Sequence, residues 1–244
     1  MELLYGRHAV LETLRAGRRR IQHIYVGQGT QQTGIVADIV AAAQQCGCPV
    51  TPASRQVLDR AGPVNHQGIV AETGPYPYVR LDALVPMSNA DAPLYLALDH
   101  LQDVQNLGTL LRTAEAMAVT GVLLPDRRAA SITPAVVNAS AGAVEHLHIV
   151  EIGNLVQTLE QFKKQGVWVV GLDAIPGAVP LPEADLRGSL MLVVGAEGAG
   201  LSRLVREHCD WLLTIPMYGQ VASLNAAVAG SIAVVAARHA RTVH

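Results

Sequence analysis

Three short segments of the sequence combine glycines with polar side chains that could do chemistry. The first, LDHLQDVQNLGTLLRTAEA, contains Asn106, Gly108 and Arg112 at the start of a helical pattern of apolar residues. Asparagine is a common helix cap, glycine lets a ligand approach the backbone, and arginine can bind a phosphate through two parallel hydrogen bonds. Taken alone, this segment predicts a helix capped by Asn106, with Arg112 on the surface of its second turn.

The second segment, MLVVGAEGAG, predicts a strand that runs into a glycine-rich turn with Glu197 at its centre. Its glycines follow the order G-x-x-G-x-G instead of the dinucleotide fingerprint G-x-G-x-x-G, and the turn comes late in the chain. A carboxylate in the turn would also repel a phosphate. The segment therefore disfavours a dinucleotide oxidoreductase. It leaves two interpretations: a tight turn with its acid near a helix N-terminus, or a site for a ligand without phosphate.

The third segment, IPMYGQVASLNAAVAG, places Ser223 and Asn225 at the start of an otherwise apolar helix. Buried polar side chains need hydrogen-bond partners, and the simplest role for either residue is to cap the helix. Three strand ends that each combine glycines or capping residues with a polar side chain nevertheless begin to describe a pocket.

The elements that must position these segments alternate between strands and helices. Residues 1–75 predict a small α/β domain, the proline-rich residues 76–93 predict a linker, and residues 94–244 predict a second domain. In the second domain, short apolar strands such as LYLALDH and MLVVG are separated by helices, which is typical of a parallel sheet covered on both faces. Ligands bind such sheets beyond the carboxyl ends of the strands, where Glu197 is expected to lie.

Composition and charge narrow the possible partners. Charged residues make up 16% of the chain and its net charge is -2, so no overall basicity indicates a nucleic-acid partner. Residues 1–75, however, contain seven arginines against five acidic residues. Any contact with a polyanion should therefore favour this part of the chain.

The cysteines and the apolar segments indicate the cellular compartment of the protein. Cys46, Cys48 and Cys209 are odd in number and lack the pattern of a four-ligand zinc site, which favours reduced thiols in the cytoplasm. The N-terminus has no pattern of a secretory signal. The apolar residues 221–237 are slightly short for a membrane span and predict a buried helix instead.

Together, the three segments resemble the signature motifs of the SpoU (TrmH-like) branch of the SPOUT RNA 2'-O-ribose methyltransferases. Near the N-terminus, YGRHAVLETL and HQGIVA resemble that branch's RNA substrate-binding domain, which is related to ribosomal protein L30e. The resemblance thus spans nearly the whole chain. Its motif residues are Asp99, Asp103, Asn106, Gly108 and Arg112; Gly195, Glu197 and Gly200; and Ile215, Pro216, Met217, Gly219, Ser223, Leu224 and Asn225.

The resemblance implies a fold, a cofactor and an assembly. The fold would be an L30e-like α/β domain followed by a parallel-sheet SPOUT domain tied in a trefoil knot. The cofactor would be S-adenosylmethionine, which carries a cationic sulfonium and no phosphate, and it would be gripped at Gly195, Ile215 and Leu224. No metal would be required. The chain would function as a homodimer packed through the same region.

The resemblance also implies site residues for methyl transfer to a ribose 2'-hydroxyl. Arg112 would act as the base or, since a guanidinium rarely loses its proton, as the group that binds the target's phosphate. Glu197 would help to hold the reacting groups by fixing Arg112 or Asn106 through hydrogen bonds. The residues that would carry the chemistry are Asn106, Arg112, Glu197, Ser223 and Asn225.

The RNA would be chosen mainly by residues 1–75, where Arg7, Arg18, Arg19 and Arg20 could reach phosphates; the simpler alternative is a solvated basic face. The first candidate substrate is a guanosine of 23S ribosomal RNA. A transfer RNA is the alternative, and a non-catalytic RNA-binding protein is a more remote one. With few aromatic residues available for base stacking, recognition should depend on RNA shape and the 2'-hydroxyl.

Overall fold

The computed structural model describes residues 1–84, 92–127 and 129–242. The predicted linker, residues 76–93, therefore lies partly outside the described residues. The chain divides into two compact units. The first comprises Met1–Pro77 together with Ile132–His146, and the second comprises Tyr78–Ser131 together with Leu147–His244. The first unit thus takes in a segment from the middle of the chain as well as the N-terminal residues.

Strands and helices alternate through both units. The strands are β1 (Glu2–Tyr5), β2 (Ile21–Gly27), β3 (Val50–Ala53), β4 (Ile69–Thr73), β5 (Leu94–Leu98), β6 (Gly121–Pro125), β7 (Ile149–Ile152), β8 (Trp168–Leu172), β9 (Val179–Pro180), β10 (Leu190–Val194) and β11 (Trp211–Thr214). The helices are α1 (Arg7–Ala16), α2 (Ile35–Gln45), α3 (Arg55–Leu58), α4 (Val104–Ala116), α5 (Pro134–Ala139), α6 (Leu155–Lys163), α7 (Arg203–His208) and α8 (Ala226–Thr242).

The first unit is built on a four-stranded sheet in the order β1-β4-β2-β3. Strand β4 pairs antiparallel with both β1 and β2, whereas β2 and β3 are parallel. The sequence predicted a small α/β domain over residues 1–75, and strands and helices alternate there. Helix α1 ends at Gly17, which adopts a left-handed conformation (φ 61°) that glycine reaches without strain.

A buried ion pair holds the middle segment in the first unit. The Arg19 guanidinium donates through Nε to Glu145 (3.0 Å) and through Nη1 to Glu2 (2.7 Å), and both Arg19 and Glu145 are buried. The Tyr76 hydroxyl donates to the Val144 carbonyl (2.9 Å). Burial raises the pKa of Glu145, and the neighbouring Arg19 opposes that shift. Removing Arg19 would leave the buried Glu145 without its charge partner, so the pair strongly constrains this packing.

The second unit contains a parallel sheet, as the apolar strands predicted. Its described strands follow the order β7-β6-β5-β10-β8-β11-β9, and every neighbouring pair is parallel. The central strands β5 and β10 are buried along their whole length. Strand β10 lies between β5 and β8, so the chain order is broken at the centre of the sheet. Crevices at such breaks, beyond the carboxyl ends of the strands, are where open α/β sheets bind ligands. The trefoil knot stays a prediction.

Helix α8 differs from the fully buried helix that its composition predicted. Small and apolar residues of one face, Ala227, Gly230, Ala233, Val234 and Ala237, are buried. At Gly230, an added Cβ would lie 3.0 Å from a methyl of Leu110 and 3.1 Å from one of Val194, so the glycine permits close packing on α4 and β10. Val228, Ile232 and Val235, however, are exposed in the single chain. No helix in the described ranges is long and apolar enough to cross a membrane.

Candidate active site

Helix α4 begins one turn earlier than its sequence predicted. The cap is Asp103, whose carboxylate accepts a hydrogen bond from the Asn106 backbone N–H (2.7 Å). The interpretation of Asn106 as the N-cap is therefore wrong: Asn106 lies in the first turn of the helix, and its side chain is available for other contacts. Asp103, three residues earlier, satisfies the backbone N–H of the third residue of the helix and adds a charge that interacts favourably with the helix N-terminus.

The glycine turn after β10 is closed by two backbone hydrogen bonds. Ala196 and Gly200 donate to each other's carbonyls (3.1 and 3.0 Å), while Gly198 and Gly200 adopt positive φ angles of 76° and 66°. A Cβ at Gly195 would overlap the backbone of Gly200, so only glycine fits at the base of the turn. This geometry lifts Glu197 to the surface of the turn.

Three predicted site residues from three different segments meet at this turn. The Asn106 amide donates to one oxygen of Glu197 (2.9 Å), and the Asn225 amide is 3.3 Å from the other oxygen. The Asn225 amide also donates to the side-chain oxygen of Asn106 (2.9 Å). The sequence left either Arg112 or Asn106 as the partner of Glu197, and the structure places Asn106 and Asn225 there. We refer to Asn106, Glu197 and Asn225 as the amide–carboxylate cluster.

Asn225 has a second role at the start of α8. Its side-chain oxygen accepts hydrogen bonds from the backbone N–H groups of Ala227 (2.8 Å) and Val228 (3.3 Å), which is the geometry of a helix cap. The capping role considered for this segment therefore falls to Asn225, and Ser223 lies two residues ahead of it. The same side chain fixes the helix through its oxygen and the carboxylate through its nitrogen.

Arg112 and Ser223 do not join the amide–carboxylate cluster. Arg112 is exposed on the third turn of α4, and its guanidinium makes no hydrogen bond or ion pair with the described part of the chain. Ser223 is also exposed, and its hydroxyl has no hydrogen-bond partner among those residues. Arg112 thus keeps its full set of donors available for a ligand.

A pocket of about 290 Å³ lies beside the cluster, beyond the carboxyl ends of β8, β10 and β11. All three predicted cofactor residues line it: Gly195, Ile215 and Leu224. Its charged lining residues are both acidic, Glu197 and Asp173, so the pocket favours a cationic ligand over a phosphate. The glycine wall and this charge fit S-adenosylmethionine. Sequence reasoning missed Asp173, although its position one residue after β8 placed it at the same edge of the sheet.

The four arginines proposed for RNA binding occupy different environments in the first unit. Arg19 is buried in its ion pairs, so it is not accessible to a phosphate and is removed from the candidate contacts. Arg18 is half-buried and donates to the carbonyls of Glu145 (3.2 Å) and Pro77 (3.0 Å). Arg20 is exposed. Arg7 uses Nε to bind the Gln67 carbonyl (3.1 Å), which orients the guanidinium and leaves its outer nitrogens available.

Comparisons with known sequences agree with the two-part organisation. Residues 93–235 match the SpoU rRNA Methylase family, and residues 3–79 match the family described as RNA 2'-O ribose methyltransferase substrate binding. The chain is 39% identical over 235 residues to the 23S rRNA (guanosine-2'-O-)-methyltransferase RlmB of Pseudomonas syringae, covering 95% of this chain and 93% of that protein. It is 42% identical over 234 residues to an uncharacterized tRNA/rRNA methyltransferase of Mycolicibacterium smegmatis, covering 95% and 74%.

Solved structures give the same family. The AdoMet-bound rRNA methyltransferase from Sinorhizobium meliloti aligns with a TM-score of 0.76 at 26% identity, covering 98% of this chain and 87% of that one. The TrmH/SpoU tRNA modifying enzyme of A. aeolicus aligns with a TM-score of 0.55 at 28% identity, covering 65% and 81%. With its amide–carboxylate cluster beside a glycine-walled acidic pocket, the chain belongs to the SpoU rRNA methylase family and is an RNA 2'-O-methyltransferase that uses S-adenosylmethionine.

Proposed function

We propose that this enzyme methylates the ribose 2'-hydroxyl of a guanosine in 23S ribosomal RNA. The observation that carries the chemistry is the amide–carboxylate cluster at the acidic pocket, where Glu197 is held by Asn106 and Asn225. When bound, S-adenosylmethionine supplies an electrophilic methyl group next to a positive sulfur. The residues of the chain need only hold both reactants in line while the hydroxyl proton passes to solvent water, and such positioning can supply several kcal/mol of the barrier.

Each member of the proposed site has a distinct task. Gly195, Ile215 and Leu224 bind the cofactor through the pocket wall. Glu197 places negative charge at the pocket, and the two asparagine amides fix its orientation. Ser223 lines the pocket near the start of α8 and contacts a reactant.

Arg112 binds the phosphate of the target nucleotide and thereby orients the 2'-hydroxyl. Its exposed guanidinium has donors to spare, and two parallel hydrogen bonds to a phosphate fix both distance and angle. A literal base role is less compatible with its chemistry, because a delocalised guanidinium rarely gives up its proton in a protein. We therefore assign Arg112 to substrate positioning.

The choice of 23S ribosomal RNA over transfer RNA rests on the extent of similarity. RlmB of Pseudomonas syringae, named for its action on 23S rRNA, matches both units, whereas the tRNA modifying enzyme of A. aeolicus aligns with only 65% of this chain. The residues that match the RNA substrate-binding family are thus included in the similarity to RlmB. Transfer RNA stays the alternative, since the Mycolicibacterium relative is named for both substrates.

Three further properties belong to the same proposal. The exposed stripe of α8, which we define as Val228, Ile232 and Val235, would pack against a second copy of the chain to form a homodimer. The first unit would bind RNA through Arg7 and Arg20. The enzyme would work in the cytoplasm, where its ribosomal substrate is made and where the thiols of its free cysteines would stay reduced.

Methyl transfer to isolated RNA tests the substrate assignment. Purified protein is incubated with isotopically labelled S-adenosylmethionine and, separately, unmodified 23S ribosomal RNA or a transfer RNA pool, and the labelled nucleosides are identified by mass spectrometry. We expect 2'-O-methylguanosine at a single position of the ribosomal RNA. Labelling confined to transfer RNA would replace the substrate assignment, and labelling of a base would contradict the reaction itself.

A further inference from the structure

Asp173 lines the pocket, and the described residues form a hydrogen bond with only one of its two carboxylate oxygens. It follows strand β8, its backbone N–H donates to the Leu213 carbonyl (3.0 Å), and its side chain lines the pocket. That side chain is 10% exposed. Taking a carboxylate out of water is costly unless it is paired and hydrogen-bonded, so the contacts of its two oxygens need an explanation.

One oxygen is held by α7. Arg206 donates from Nε to Oδ2 of Asp173 (2.8 Å) and from Nη2 to the Leu201 carbonyl (3.2 Å). The guanidinium therefore joins the end of β8 to the end of the glycine turn and fixes the orientation of the carboxylate. The other oxygen, Oδ1, has no hydrogen-bond partner in residues 1–84, 92–127 and 129–242.

The free oxygen faces the glycine turn. A Cβ added at Gly200 would lie 3.2 Å from Oδ1 of Asp173, tighter than an ordinary contact. Gly200 lines the same pocket and adopts a positive φ of 66°. The glycine therefore leaves space beside the unpaired oxygen of a side chain that is only 10% exposed, and a ligand with hydroxyl donors can occupy that space.

We propose that Oδ1 of Asp173 accepts hydrogen bonds from the ribose 2'- and 3'-hydroxyls of S-adenosylmethionine, with Arg206 as the residue that positions the carboxylate. A carboxylate oxygen offers two lone pairs, which suits two adjacent hydroxyl donors. Hydrogen bonds to an ionised acceptor are among the stronger ones in proteins. The proposal rests on the cofactor assignment and goes beyond it by naming the residue that recognises the ribose.

The cofactor carries other positive or donor groups, and the charges around Asp173 favour the hydroxyls over its ammonium group. Arg206 already balances the charge of Asp173 at 2.8 Å, so little net negative charge remains to attract a second cation. Neutral hydroxyl donors need only the free lone pairs. Glu197, which no arginine or lysine of the described residues contacts, is the better counter-ion for a positive group.

Binding measurements on three nucleosides separate these possibilities without relying on activity. Calorimetry is performed on wild-type protein and on Asp173→Asn with S-adenosylhomocysteine, its 2',3'-dideoxy analogue, and 5'-methylthioadenosine, which lacks the amino-acid part. We expect Asp173→Asn to weaken the binding of S-adenosylhomocysteine and 5'-methylthioadenosine by a similar factor of about ten or more. The dideoxy analogue should bind wild-type protein about as weakly as Asp173→Asn binds S-adenosylhomocysteine. Its affinity should be the same for the wild-type protein and the variant.

Each other outcome overturns the proposal. Unchanged binding of S-adenosylhomocysteine by the variant removes Asp173 from recognition, and an equal loss with the dideoxy analogue shows a purely structural role. A loss with S-adenosylhomocysteine but not with 5'-methylthioadenosine assigns Asp173 to the ammonium group instead. Because Asn could disturb the Arg206 contact and unfold the chain, the unfolding temperature of the variant is measured, and wild-type protein supplies a test of its own: equal affinity for S-adenosylhomocysteine and its dideoxy analogue would exclude the ribose hydroxyls as the bound groups. If wild-type protein binds none of the nucleosides, the cofactor assignment itself fails.

Discussion

Glu197 accepts hydrogen bonds from two asparagine amides, and this arrangement determines what each asparagine can still do. Asn106 uses its nitrogen on Glu197 and its oxygen on Asn225, while Asn225 uses its oxygen on the backbone of α8. Both amide orientations are thereby determined, and Glu197 retains lone pairs for a ligand. Because the three side chains share partners, substitutions within this cluster should not have additive effects.

At the residue scale, Arg112 gives the sharpest prediction. We expect Arg112→Ala and Arg112→Lys each to lower methyl transfer by at least about a hundredfold, since alanine removes the charge and lysine restores the charge without the planar fork. Cofactor affinity and the unfolding temperature should stay unchanged, because the guanidinium makes no hydrogen bond or ion pair with the described residues. Single-turnover rates and calorimetry measure the two effects.

A matched control for Arg112 is Arg203→Ala, which removes an exposed arginine from α7 whose one ion-pair partner within residues 1–84, 92–127 and 129–242 is Glu207 on the same helix. This variant should keep wild-type turnover. Near-normal turnover of Arg112→Lys would show that charge alone suffices and would contradict a bidentate contact. Near-normal turnover of Arg112→Ala would exclude Arg112 from the site.

At the scale of elements, α8 links the site to assembly. Its first turn is capped by Asn225, its buried face packs closely through Gly230, and its exposed stripe continues along the same helix. The orientation of the site asparagine and the position of the stripe are therefore set by one rigid element. A substitution at the cap should mainly lower the rate of methyl transfer, and a substitution in the exposed stripe should mainly weaken the dimer.

Two variants of Asn225 separate its cap from its contact with Glu197. Asn225→Ser keeps an oxygen that can cap α8 but loses the amide nitrogen, so methyl transfer should fall while the free energy of unfolding changes by only a few tenths of a kcal/mol. Asn225→Ala loses both functions and should also lower the free energy of unfolding by about 1 kcal/mol. Chemical denaturation and turnover assays test this, and full activity of the serine variant would show that the contact with Glu197 is dispensable.

The exposed stripe of α8 predicts the oligomeric state. Analytical ultracentrifugation of wild-type protein at micromolar concentration should show a dimer, and Ile232→Asp should shift it to monomer because a charge would be buried in an apolar interface. Leu204→Glu is the control, since Leu204 is exposed to a similar extent on α7, outside the stripe. A monomeric wild-type protein, or a dimer unaffected by Ile232→Asp, would argue against this interface.

The order of strands and helices was accessible from sequence, because apolar runs and glycine stops are local signals. The parallel sheet and the glycine turn after β10 follow from those signals, whereas the partners of Glu197 were left open between Arg112 and Asn106. Contacts between distant segments were not accessible. The burial of Arg19 depends on Glu145, which lies 126 residues away. The exposed face of α8 is made of the same residue types as a buried face, so composition does not distinguish the two.

At the scale of the whole molecule, fewer arginines are available to bind RNA than the sequence indicated. Arg19 is committed to its ion pair and Arg18 to backbone carbonyls, whereas Arg7 and Arg20 keep donors that no described residue accepts from. Deleting residues 1–75 would be a poor test of RNA binding, because it would leave Glu145 and the apolar residues of α5 without their buried partners. Charge substitutions avoid that damage.

We therefore expect Arg7→Ala combined with Arg20→Ala to weaken binding of 23S ribosomal RNA fragments and to reduce its salt dependence. If each arginine neutralises one phosphate, the slope of log affinity against log salt should become shallower by roughly 1.4 to 1.8. Fluorescence anisotropy across a salt series measures the slope, and Arg55→Ala, another exposed arginine of the first unit, provides a comparison. An unchanged slope would place the RNA contacts elsewhere, while cofactor binding should be the same in all variants.

The middle segment of the first unit has a consequence for how the protein is made. A ribosome synthesises Met1–Pro77 first, but Glu145, the partner of Arg19, emerges only after strands β5 and β6 of the second unit have been translated. Until then the N-terminal part has only Glu2 to pair with Arg19, so it should reach full stability late, although N-terminal domains generally fold first during synthesis. The two units are interleaved in the gene, and neither can be exchanged between proteins as one uninterrupted stretch of coding sequence.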